Sequence, residues 1–344
     1  MKPEISLVIP AYNEADNVAE LRQRVTALFD QHPDRSFELV LVDDHSKDET
    51  GKRVKAWADE DGRIKYVRLS RNSGSHTALY AGMSECRGKA AVFLAADLQD
   101  PPAVIPRMLN QWKEGNDVVW AVRAQRLGEK KSTTLFSAIY HFVMKRWVLP
   151  EMPATGADFF LIDRKVIDAY LTIEERNADF INMVLWMGFK QAFIPYVKEA
   201  RASGTSKWTF AKKLKLFVDS IVSFSFAPIR LMSAVGAVFA IGGFLYAAVV
   251  IAGRLFGLVL ANTGFAATMT VILVGQGMIM LMLGVMGEYL WRSLDEARRR
   301  PRFFVEERYG AGTPDAQLRT EPITVVTLGP ENPPESVQKK DVVP

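Results

Sequence analysis

Two long stretches without a charged residue constrain the fold of this chain most. No charge occurs between Arg230 and Arg254, and none occurs between Arg254 and Glu288. Each stretch can hold the roughly 20 apolar residues that a helix needs to cross a bilayer core about 30 Å thick. Buried helices of soluble cores are seldom so long. The sequence therefore predicts a transmembrane hairpin with spans over 231–251 and 268–287.

The charges around the two predicted spans set their orientation. Lysines and arginines precede the first span and follow the second, whereas the connecting loop carries only Arg254. By the positive-inside rule, both flanks lie in the cytoplasm. The first residues contain no apolar signal region, so we expect the N-terminal part and both termini on the cytosolic side of an inner membrane. The single cysteine, Cys86, fits a reducing compartment.

The net charge is modest and is concentrated beside the predicted hairpin. At +4 it is too small and too localised to indicate a nucleic-acid partner. Basic residues next to a membrane span are attracted to anionic lipid headgroups. The charge pattern therefore indicates a membrane surface as partner.

Residues 1–205 alternate apolar strands with helical stretches. Strands are predicted over 5–10, 38–42, 64–69, 90–96 and 117–122, and helices over 14–29, 48–59, 76–86 and 104–114. Strands that alternate with helices of 10–15 residues indicate βαβ units. We therefore expect an α/β domain with a doubly wound, mostly parallel sheet.

The rest of the chain divides into four segments. Residues 206–228 have apolar residues near helical spacing with lysines between them, which predicts an amphipathic helix in the membrane interface. The hairpin occupies 229–291, and a basic cytosolic segment follows over 292–310. Residues 311–344 lack periodicity and predict a disordered tail. The glycine-rich spans favour packing against other copies, so we expect a homo-oligomer.

Polar residues follow three of the predicted strands at the point where each strand ends. The first strand ends in PAYNE (10–14), the second in DD (43–44), and the strand over 90–96 breaks into DLQDPP (97–102). Open α/β sheets bind ligands at the carboxyl ends of their strands. Each segment alone also fits a helix cap or a polar turn. Three of them at one end of a sheet predict a binding site.

Several segments in a fixed order carry a resemblance to a known family. They are VIPAYNE (8–14), VDDHSKDET (42–50), LSRNSGSHTALYAGM (69–83) and AADLQDPP (95–102). In this order and spacing they resemble the family 2 glycosyltransferases with the GT-A fold. GADF (156–159), GTSKW (204–208), GEYL (287–290) and PRFFV (301–305) narrow the resemblance to the polyprenyl-phosphate glycosyltransferases. That group includes dolichol-phosphate mannose synthase, the bactoprenol glucosyltransferases and the undecaprenyl-phosphate aminoarabinose transferase.

The resemblance implies a reaction. A single sugar would move, with inversion, from a nucleotide-sugar onto undecaprenyl or another polyprenyl phosphate at the cytoplasmic face. A UDP-sugar is the first candidate donor. Mg²⁺ or Mn²⁺ would neutralise the leaving diphosphate. The identity of the sugar and of the polyprenol stays open.

The resemblance also implies a role for the rim residues. Pro10, Tyr12, Glu14 and Asp44 would hold the nucleoside, and Asp43 would support them from the same turn. Asp97 would bind the metal, helped by Gln99 near the diphosphate.

The remaining implied site residues surround the acceptor. Asp158 stands at the family's active-site aspartate, where it would orient the acceptor, assist at the metal or act as a base; we favour orientation. Arg201 and Lys207 stand at phosphate-contacting basic positions. Arg123 and Arg126 follow the fifth predicted strand, where they would contact the diphosphate or the lipid phosphate.

One departure from the family pattern leaves two alternatives open. Ala95 stands where many relatives have aspartate, so Asp97 either coordinates alone among carboxylates or is helped by Asp43. A membrane-anchored sugar-nucleotide-binding scaffold that has lost activity is one alternative, and Ala95 supports it. A processive polysaccharide synthase is the other. It is disfavoured because the only Arg-Trp pair, Arg146-Trp147, lacks the preceding glutamine and because two spans cannot enclose a polymer channel.

Overall fold

The computed structural model describes residues 2–123, 158–173, 175, 180–199, 219, 222, 225, 227–256 and 264–310. The predicted tail over 311–344 lies outside these residues, and only isolated positions of the predicted interfacial helix lie inside them. Both therefore stay predictions.

Eight strands form one sheet in the order β7-β5-β6-β4-β1-β2-β3-β8. The strands are β1 Ile5–Ala11, β2 Phe37–Asp43, β3 Ile64–Leu69, β4 Ala90–Phe93, β5 Val118–Arg123, β6 Phe159–Asp163, β7 Gln191–Tyr196 and β8 Val305–Tyr309. Strands β4, β1, β2 and β3 are mutually parallel, and β5 is parallel to β7. Strand β6 runs antiparallel between β4 and β5, and β8 runs antiparallel along β3. The α/β fold class predicted from the sequence is confirmed.

The helices follow the strands in the expected alternation. They are α1 Val18–Gln31, α2 Thr50–Glu60, α3 Ser75–Glu85, α4 Ile105–Lys113, α5 Arg164–Leu171, α6 Phe180–Trp186, α7 Ala227–Leu255 and α8 Gly264–Ala297. Short 3-10 turns at Ala15–Asn17 and Pro102–Val104 precede α1 and α4. The four helices predicted in the first part correspond to α1–α4, with ends that differ by a few residues.

The sheet is covered on both faces, as a doubly wound fold requires. Alternate residues of β1 point to opposite faces: Leu7 and Ile9 belong to the core under α1, α2 and α4, and Val8 to the core under α3, α5 and α6. Helix α3 lies very close to β1, because a Cβ on Gly82 would stand 2.2 Å from Cγ1 of Val8. Glycine is therefore required where this helix crosses the sheet.

One predicted strand is shorter in the structure. The strand predicted over 90–96 ends at Phe93. The Leu94 N–H still donates to the Val8 carbonyl at 3.3 Å, and Leu94 and Ala96 are buried in the core beyond the strand end. The segment 292–310 contains the end of α8, to Ala297, and β8 on the sheet edge; its cytosolic location stays a prediction.

Helices α7 and α8 are candidate membrane spans. The candidate spans are Pro228–Gly253 and Val271–Ala297, and the most apolar part of each is not buried within the described structure. Phe244 is 76% exposed and Leu290 is 72% exposed, so apolar surface covers the outside of both helices. Such an apolar surface is typical of a lipid environment and not of a soluble domain. The two helices approach each other at Gly236, where a Cβ would lie 3.2 Å from Cε of Met282.

Candidate active site

The turns after β1, β2 and β4 lie side by side at one edge of the sheet, which we call the active-site rim. The parallel registers align Ala11 with Asp43 and Val8 with Phe93, so the strands end at the same edge. Each turn contains a non-glycine residue with positive φ: Asn13 at 51°, His45 at 62° and Leu98 at 63°. Such residues are uncommon and cluster at functional sites. Their coincidence at three neighbouring strand ends marks the rim as a site.

Hydrogen bonds connect the turns after β1 and β2. The Asn13 N–H donates to Oγ of Ser46 at 2.9 Å, and the Lys47 N–H donates to Oδ1 of Asn13 at 2.8 Å. The Glu14 N–H donates to Oγ1 of Thr50 at 2.9 Å. These bonds hold Tyr12 and Glu14 half-buried at the rim. Their predicted contact with a nucleoside stays a prediction, as does that of Pro10, which is also half-buried.

Asp43 supports the rim from inside the core. Its side chain is wholly buried, and its Oδ1 accepts from the Ser46 N–H at 2.7 Å. Its Oδ2 accepts from the Tyr66 hydroxyl at 2.6 Å and from Arg68 at 2.7 Å. Burial and the neighbouring carboxylate raise the pKa of Tyr66, so its hydroxyl remains a donor. The carboxylate of Asp43 is inaccessible to a metal, so the sequence-based expectation that it could compensate for Ala95 is wrong.

Asp44 fixes the loop that leads into α3. Its two oxygens accept from the backbone N–H groups of Ser73 at 2.6 Å and of Gly74 at 2.8 Å. The residue is 4% exposed, and burial raises the pKa of its carboxyl although the two N–H donors oppose the shift. The structure thus gives Asp44 a role in holding the rim, and its predicted contact with a nucleoside stays a prediction.

The third turn of the rim carries Asp97 and Gln99. The Gln99 N–H donates to Oδ1 of Asp97 at 3.2 Å. The carbonyl of Gln99 accepts from the Glu199 N–H at 2.9 Å, and the Gln99 amide donates back to the Glu199 carbonyl at 3.4 Å. This pair of bonds ties the turn after β4 to the segment after β7.

The donor set at this turn suits one mode of metal binding. In the described part of the chain, no three His, Cys, Asp or Glu side chains are grouped so that they could hold a metal ion. Mg²⁺ usually takes one or two carboxylates and completes its shell with substrate phosphates and water. A carboxylate on Asp97 and an amide oxygen on Gln99 fit a metal that arrives with a diphosphate, and they do not form a complete protein cage.

A cluster of two cations and two carboxylates lies beside this turn; we call it the Arg–Asp–Lys cluster, and it consists of Arg123, Asp158, Lys198 and Asp100. The Arg123 guanidinium donates to Oδ2 of Asp158 at 2.8 Å. Nζ of Lys198 stands 3.8 Å from the same oxygen and 3.6 Å from Oδ1 of Asp100. Three strands assemble it, since β5 and β7 end here and the antiparallel β6 begins here.

The buried half of the cluster contains a carboxylate with an oxygen that is unsatisfied in the described part of the chain, and the pKa values of its groups are shifted. Asp100 is 1% exposed, its Oδ1 accepts from the Tyr196 hydroxyl at 2.7 Å, and its Oδ2 has no hydrogen-bond partner among the described residues. Burial raises the pKa of Asp100 although Lys198 opposes the shift, and burial and Asp100 raise the pKa of Tyr196. Burial alone would lower the pKa of Arg123, but the charge of Asp158 raises it. The cluster therefore keeps its guanidinium charged.

Sequence reasoning missed part of this cluster. Asp100 and Lys198 were not predicted as site residues, and neither was Tyr196, which bonds to Asp100. Lys198 and Tyr196 were missed because no strand was predicted over 191–196. The sequence contains an indication of this strand: the apolar run Ala192-Phe193-Ile194 is followed by charged Lys198, as apolar strands are followed by polar residues at the other rim turns. The structure brings the predicted residues Arg123 and Asp158 together. Arg126, Arg201 and Lys207 lie outside the described residues, so their phosphate contacts stay predictions.

Comparison with known proteins decides the family. Residues 6–171 match the family described as Glycosyl transferase family 2. Over 307 residues the chain is 38% identical to the uncharacterized glycosyltransferase YkcC of Bacillus subtilis (strain 168), covering 89% of this chain and 94% of that protein. The chain belongs to glycosyltransferase family 2. The resemblance stated from the sequence is confirmed, and the protein is a glycosyltransferase.

Two further similarities concern proteins whose names state a substrate or ligand. This glycosyltransferase is 36% identical over 316 residues to the undecaprenyl-phosphate 4-deoxy-4-formamido-L-arabinose transferase of Pseudomonas aeruginosa (strain LESB58), covering 91% of this chain and 92% of that protein. It also matches the mannosyltransferase PcManGT from Pyrobaculum calidifontis, solved with GDP-Man and Mn²⁺, at 16% identity and a TM-score of 0.42, covering 85% of this chain and 88% of that one. At this TM-score and identity, the ligands of that mannosyltransferase are not assigned to this glycosyltransferase.

Proposed function

We propose that this glycosyltransferase moves one sugar from a nucleotide-sugar onto undecaprenyl or another polyprenyl phosphate, with inversion. A UDP-sugar is the first candidate donor. The reaction would take place at the cytoplasmic face of the inner membrane, in a chain anchored by α7 and α8, with both termini in the cytosol. The observation that carries the proposal is the direct hydrogen bonding of the Gln99 turn to the segment that bears Lys198. In the proposed reaction this contact would place the edge that holds the diphosphate beside the cluster that holds the lipid phosphate.

The relatives support the acceptor. Relatives named undecaprenyl-phosphate 4-deoxy-4-formamido-L-arabinose transferase match this chain at 32–36% identity over about nine-tenths of its length, the Pseudomonas aeruginosa protein at 36% and the Proteus mirabilis protein at 32%. Two candidate membrane helices would keep such a chain where a lipid acceptor resides.

The donor side follows from the residue types at the rim. Asp97 and Gln99 would hold a divalent cation, Mg²⁺ or Mn²⁺, which when bound neutralises the charge that develops on the leaving diphosphate. Tyr12, Glu14 and Pro10 would hold the nucleoside between the first two turns, with Asp44 and Asp43 fixing those turns.

The acceptor side requires cations more than a base. The second pKa of a phosphate monoester is near 6, so the attacking oxygen is largely ionised at pH 7. That oxygen attacks the anomeric carbon, the bond from this carbon to the diphosphate oxygen breaks, and the nucleoside diphosphate leaves with the electron pair. Arg123 and Lys198, together with the predicted Arg126, Arg201 and Lys207, would hold two anions that otherwise repel each other.

Asp158 would position the acceptor and its cations. Its carboxylate is fixed by Arg123 at 2.8 Å and lies 3.8 Å from Lys198, while its side chain is 52% exposed. A carboxylate anchored in this way suits orientation of neighbouring groups better than abstraction of a proton.

The experiment combines donors, acceptor and metal. Membranes that contain the full chain are incubated with labelled nucleotide-sugars, undecaprenyl phosphate and Mg²⁺ or Mn²⁺, and label is measured in the organic phase. We expect lipid-linked product with one donor and its loss on removal of the metal by chelation. Long polymer in the aqueous phase would favour the synthase, and no product from any common donor would favour the inactive scaffold.

A pair of variants tests the role of Asp158. We expect Asp158→Asn to reduce turnover by about 100-fold at saturating acceptor, because the orientation of two cations is lost. Asp168→Asn is the matched control, since that side chain is 62% exposed on α5 and, among the described residues, forms an ion pair only with Arg164 one helical turn away. Near-normal turnover of Asp158→Asn would refute the role assigned to Asp158.

A further inference from the structure

A cavity of about 260 Å³ lies away from the Arg–Asp–Lys cluster, between α3, the end of α5 and the segment that follows α8. Its lining includes Arg71, His76 and Tyr80 from the α3 region, and Asp295, Arg300 and Arg302 from the end of α8 and the segment after it. The predicted and described site residues do not line it. The cavity therefore belongs to a part of the molecule to which the proposed sugar transfer assigns nothing.

The lining is strongly cationic. Among the described lining residues, three carry a guanidinium group, Arg71, Arg300 and Arg302, and one carries a carboxylate, Asp295. Within the described ranges, neither Arg71 nor Arg300 forms an ion pair, and both side chains are exposed. The positive charge of these two groups is therefore available to an anion.

Arg302 is preorganised for the same purpose. Its guanidinium donates to the carbonyl of Ile173 at 2.6 Å and to the carbonyl of Glu175, and it stacks 4.2 Å above the ring of Tyr80. Carbonyl groups and an aromatic face hold the guanidinium in place without cancelling its charge. Ordering a flexible arginine on binding costs conformational entropy, and here that cost has already been met on folding.

The position of the cavity indicates which anion it meets. Its walls include Asp295, near the end of the candidate membrane span Val271–Ala297, and Arg300, three residues beyond it. A basic pocket at the cytoplasmic end of a membrane span lies at the level of the lipid headgroups. The volume is below the roughly 300–1,000 Å³ of small-molecule sites, which suits a phosphate headgroup and not a whole nucleotide-sugar.

We propose that the cavity lined by Arg71, Arg300 and Arg302 binds the phosphodiester headgroup of an anionic membrane lipid and so fixes the catalytic domain against the bilayer. The proposal rests on the membrane location of α8 but not on sugar transfer. Strand β8 begins a few residues after Arg302, so a headgroup held here connects the membrane directly to the sheet edge.

The test measures lipid retention on the full chain in a neutral detergent by native mass spectrometry. Phosphatidylglycerol is titrated against phosphatidylcholine with the same acyl chains. The test variant is Arg71→Gln with Arg300→Gln, which leaves the structural contacts of Arg302 intact. The matched control is Arg298→Gln with Arg299→Gln, which removes the same charge from exposed residues of the same segment that do not line the cavity.

We expect the wild-type chain and the control to retain phosphatidylglycerol in preference to phosphatidylcholine, and the test variant to bind it about tenfold more weakly. Equal loss in both double variants, or equal retention of the two lipids, would overturn the proposal in favour of general surface attraction. Displacement by inorganic phosphate would make the occupant a soluble anion, and displacement by undecaprenyl phosphate at equal concentration would make the cavity part of the acceptor site. Because no sugar donor is present, failure here leaves the proposed transfer reaction untouched.

Discussion

Lys198 is the residue that joins the two carboxylates of the Arg–Asp–Lys cluster. Its Nζ lies 3.6 Å from Asp100 and 3.8 Å from Asp158, and its side chain is only 16% exposed. Removal of the lysine would leave buried Asp100 without the cation 3.6 Å from its Oδ1 and would release Asp158 on one side. Because a misplacement of about 1 Å can cost about 100-fold in rate, we expect the lysine to act as a positioning residue for the proposed transfer reaction.

We expect Lys198→Met to lower kcat by about 10- to 100-fold with a smaller change in the KM for the nucleotide-sugar. Lys198→Arg should restore part of the rate, because a guanidinium still reaches two carboxylates. Lys190→Met, at the opposite end of β7, is the matched control and should behave as wild type. An effect on KM alone, or an equal loss in Lys190→Met, would show that Lys198 does not position the reacting groups.

Single substitutions in and before the turn after β4 test the predicted metal site. Asp43 is buried and bonded to Tyr66 and Arg68, so it is not accessible to a metal. Asp97, on the turn after β4, is therefore the carboxylate assigned to the metal. We expect Asp97→Ala to abolish transfer while the thermal midpoint of the chain is kept, and Ala95→Asp to change the affinity for, or the choice between, Mg²⁺ and Mn²⁺. Asp34→Ala, an exposed site before β2, controls for loss of charge. If neither change alters activity or its metal titration, the metal site lies elsewhere.

At the scale of elements, a buried polar network holds β1, β2 and β3 in register. Glu38 is 4% exposed, and its carboxylate accepts from the Ser6 hydroxyl at 2.6 Å, from Nζ of Lys65 and from the Arg87 N–H. Register decides which side chains reach the rim, since a slip of one residue would turn each side chain to the other face. The network at one end of these strands therefore helps to keep the turns aligned at the other end.

We expect Glu38→Gln to destabilise the chain by about 3–5 kcal/mol, because Lys65 would be left as a buried charge without its partner. Glu60→Gln breaks an exposed pair with Arg22 and should leave the thermal midpoint nearly unchanged, because water screens the pair. The thermal midpoint of the full chain in detergent measures both. Equal effects of the two substitutions would mean that the buried pair has no special weight.

The pH dependence of the same pair follows from the direction of its pKa shift. Burial alone would raise the pKa of Glu38, but the bonds from Lys65, Ser6 and the Arg87 N–H lower it below the ordinary value of 4.5. A lowered pKa contributes stability above the unfolded value, and this contribution is lost as the pH falls through the folded value. The difference in thermal midpoint between wild type and Glu38→Gln should therefore be full at pH 7 and shrink below pH 4.5.

At the scale of the whole molecule, the chain returns from the two candidate membrane helices to complete its own sheet. Strand β8 pairs with β3, and Glu306, Glu307 and Arg308 form ion pairs with Arg68 at 2.8 Å, Lys55 at 2.8 Å and Glu85 at 2.7 Å. A Cβ on Gly310 would lie 2.4 Å from the Ile64 carbonyl oxygen, so only glycine fits at the end of the strand. Without β8, the edge of β3 would be open to pairing with other chains.

Two truncations separate β8 from the predicted tail. A chain that stops after Gly310 should keep the thermal midpoint and the activity of the full chain, because it lacks only the residues predicted to be disordered. A chain that stops after Arg302 should lose about 5 °C or more and aggregate, because the edge of β3 is uncovered. Size-exclusion chromatography and thermal unfolding in detergent measure both. Equal behaviour of the two chains would mean that β8 does not close the sheet.

The sequence by itself determined the local elements, the apolar spans and the family. Strands β1–β5 and helices α1–α4 follow from side-chain periodicity, which depends on neighbours a few residues apart. The spans over 231–251 and 268–287 follow from apolar length alone. The rim turns were predictable because each parallel strand must end at the same edge of the sheet.

Only the tertiary structure decided which side chains meet. Strands β6, β7 and β8 pair with partners far away in the sequence, and nothing local in QAFIPY or VEERY specifies those partners. The Arg–Asp–Lys cluster exists because β6 runs antiparallel between β4 and β5, which brings Asp158 to the carboxyl ends of β5 and β7. The burial of Asp43 was likewise set by Tyr66 and Arg68 on the next strand. Periodicity records which face of an element is apolar, whereas contacts between distant segments depend on how the packed elements fit together in space.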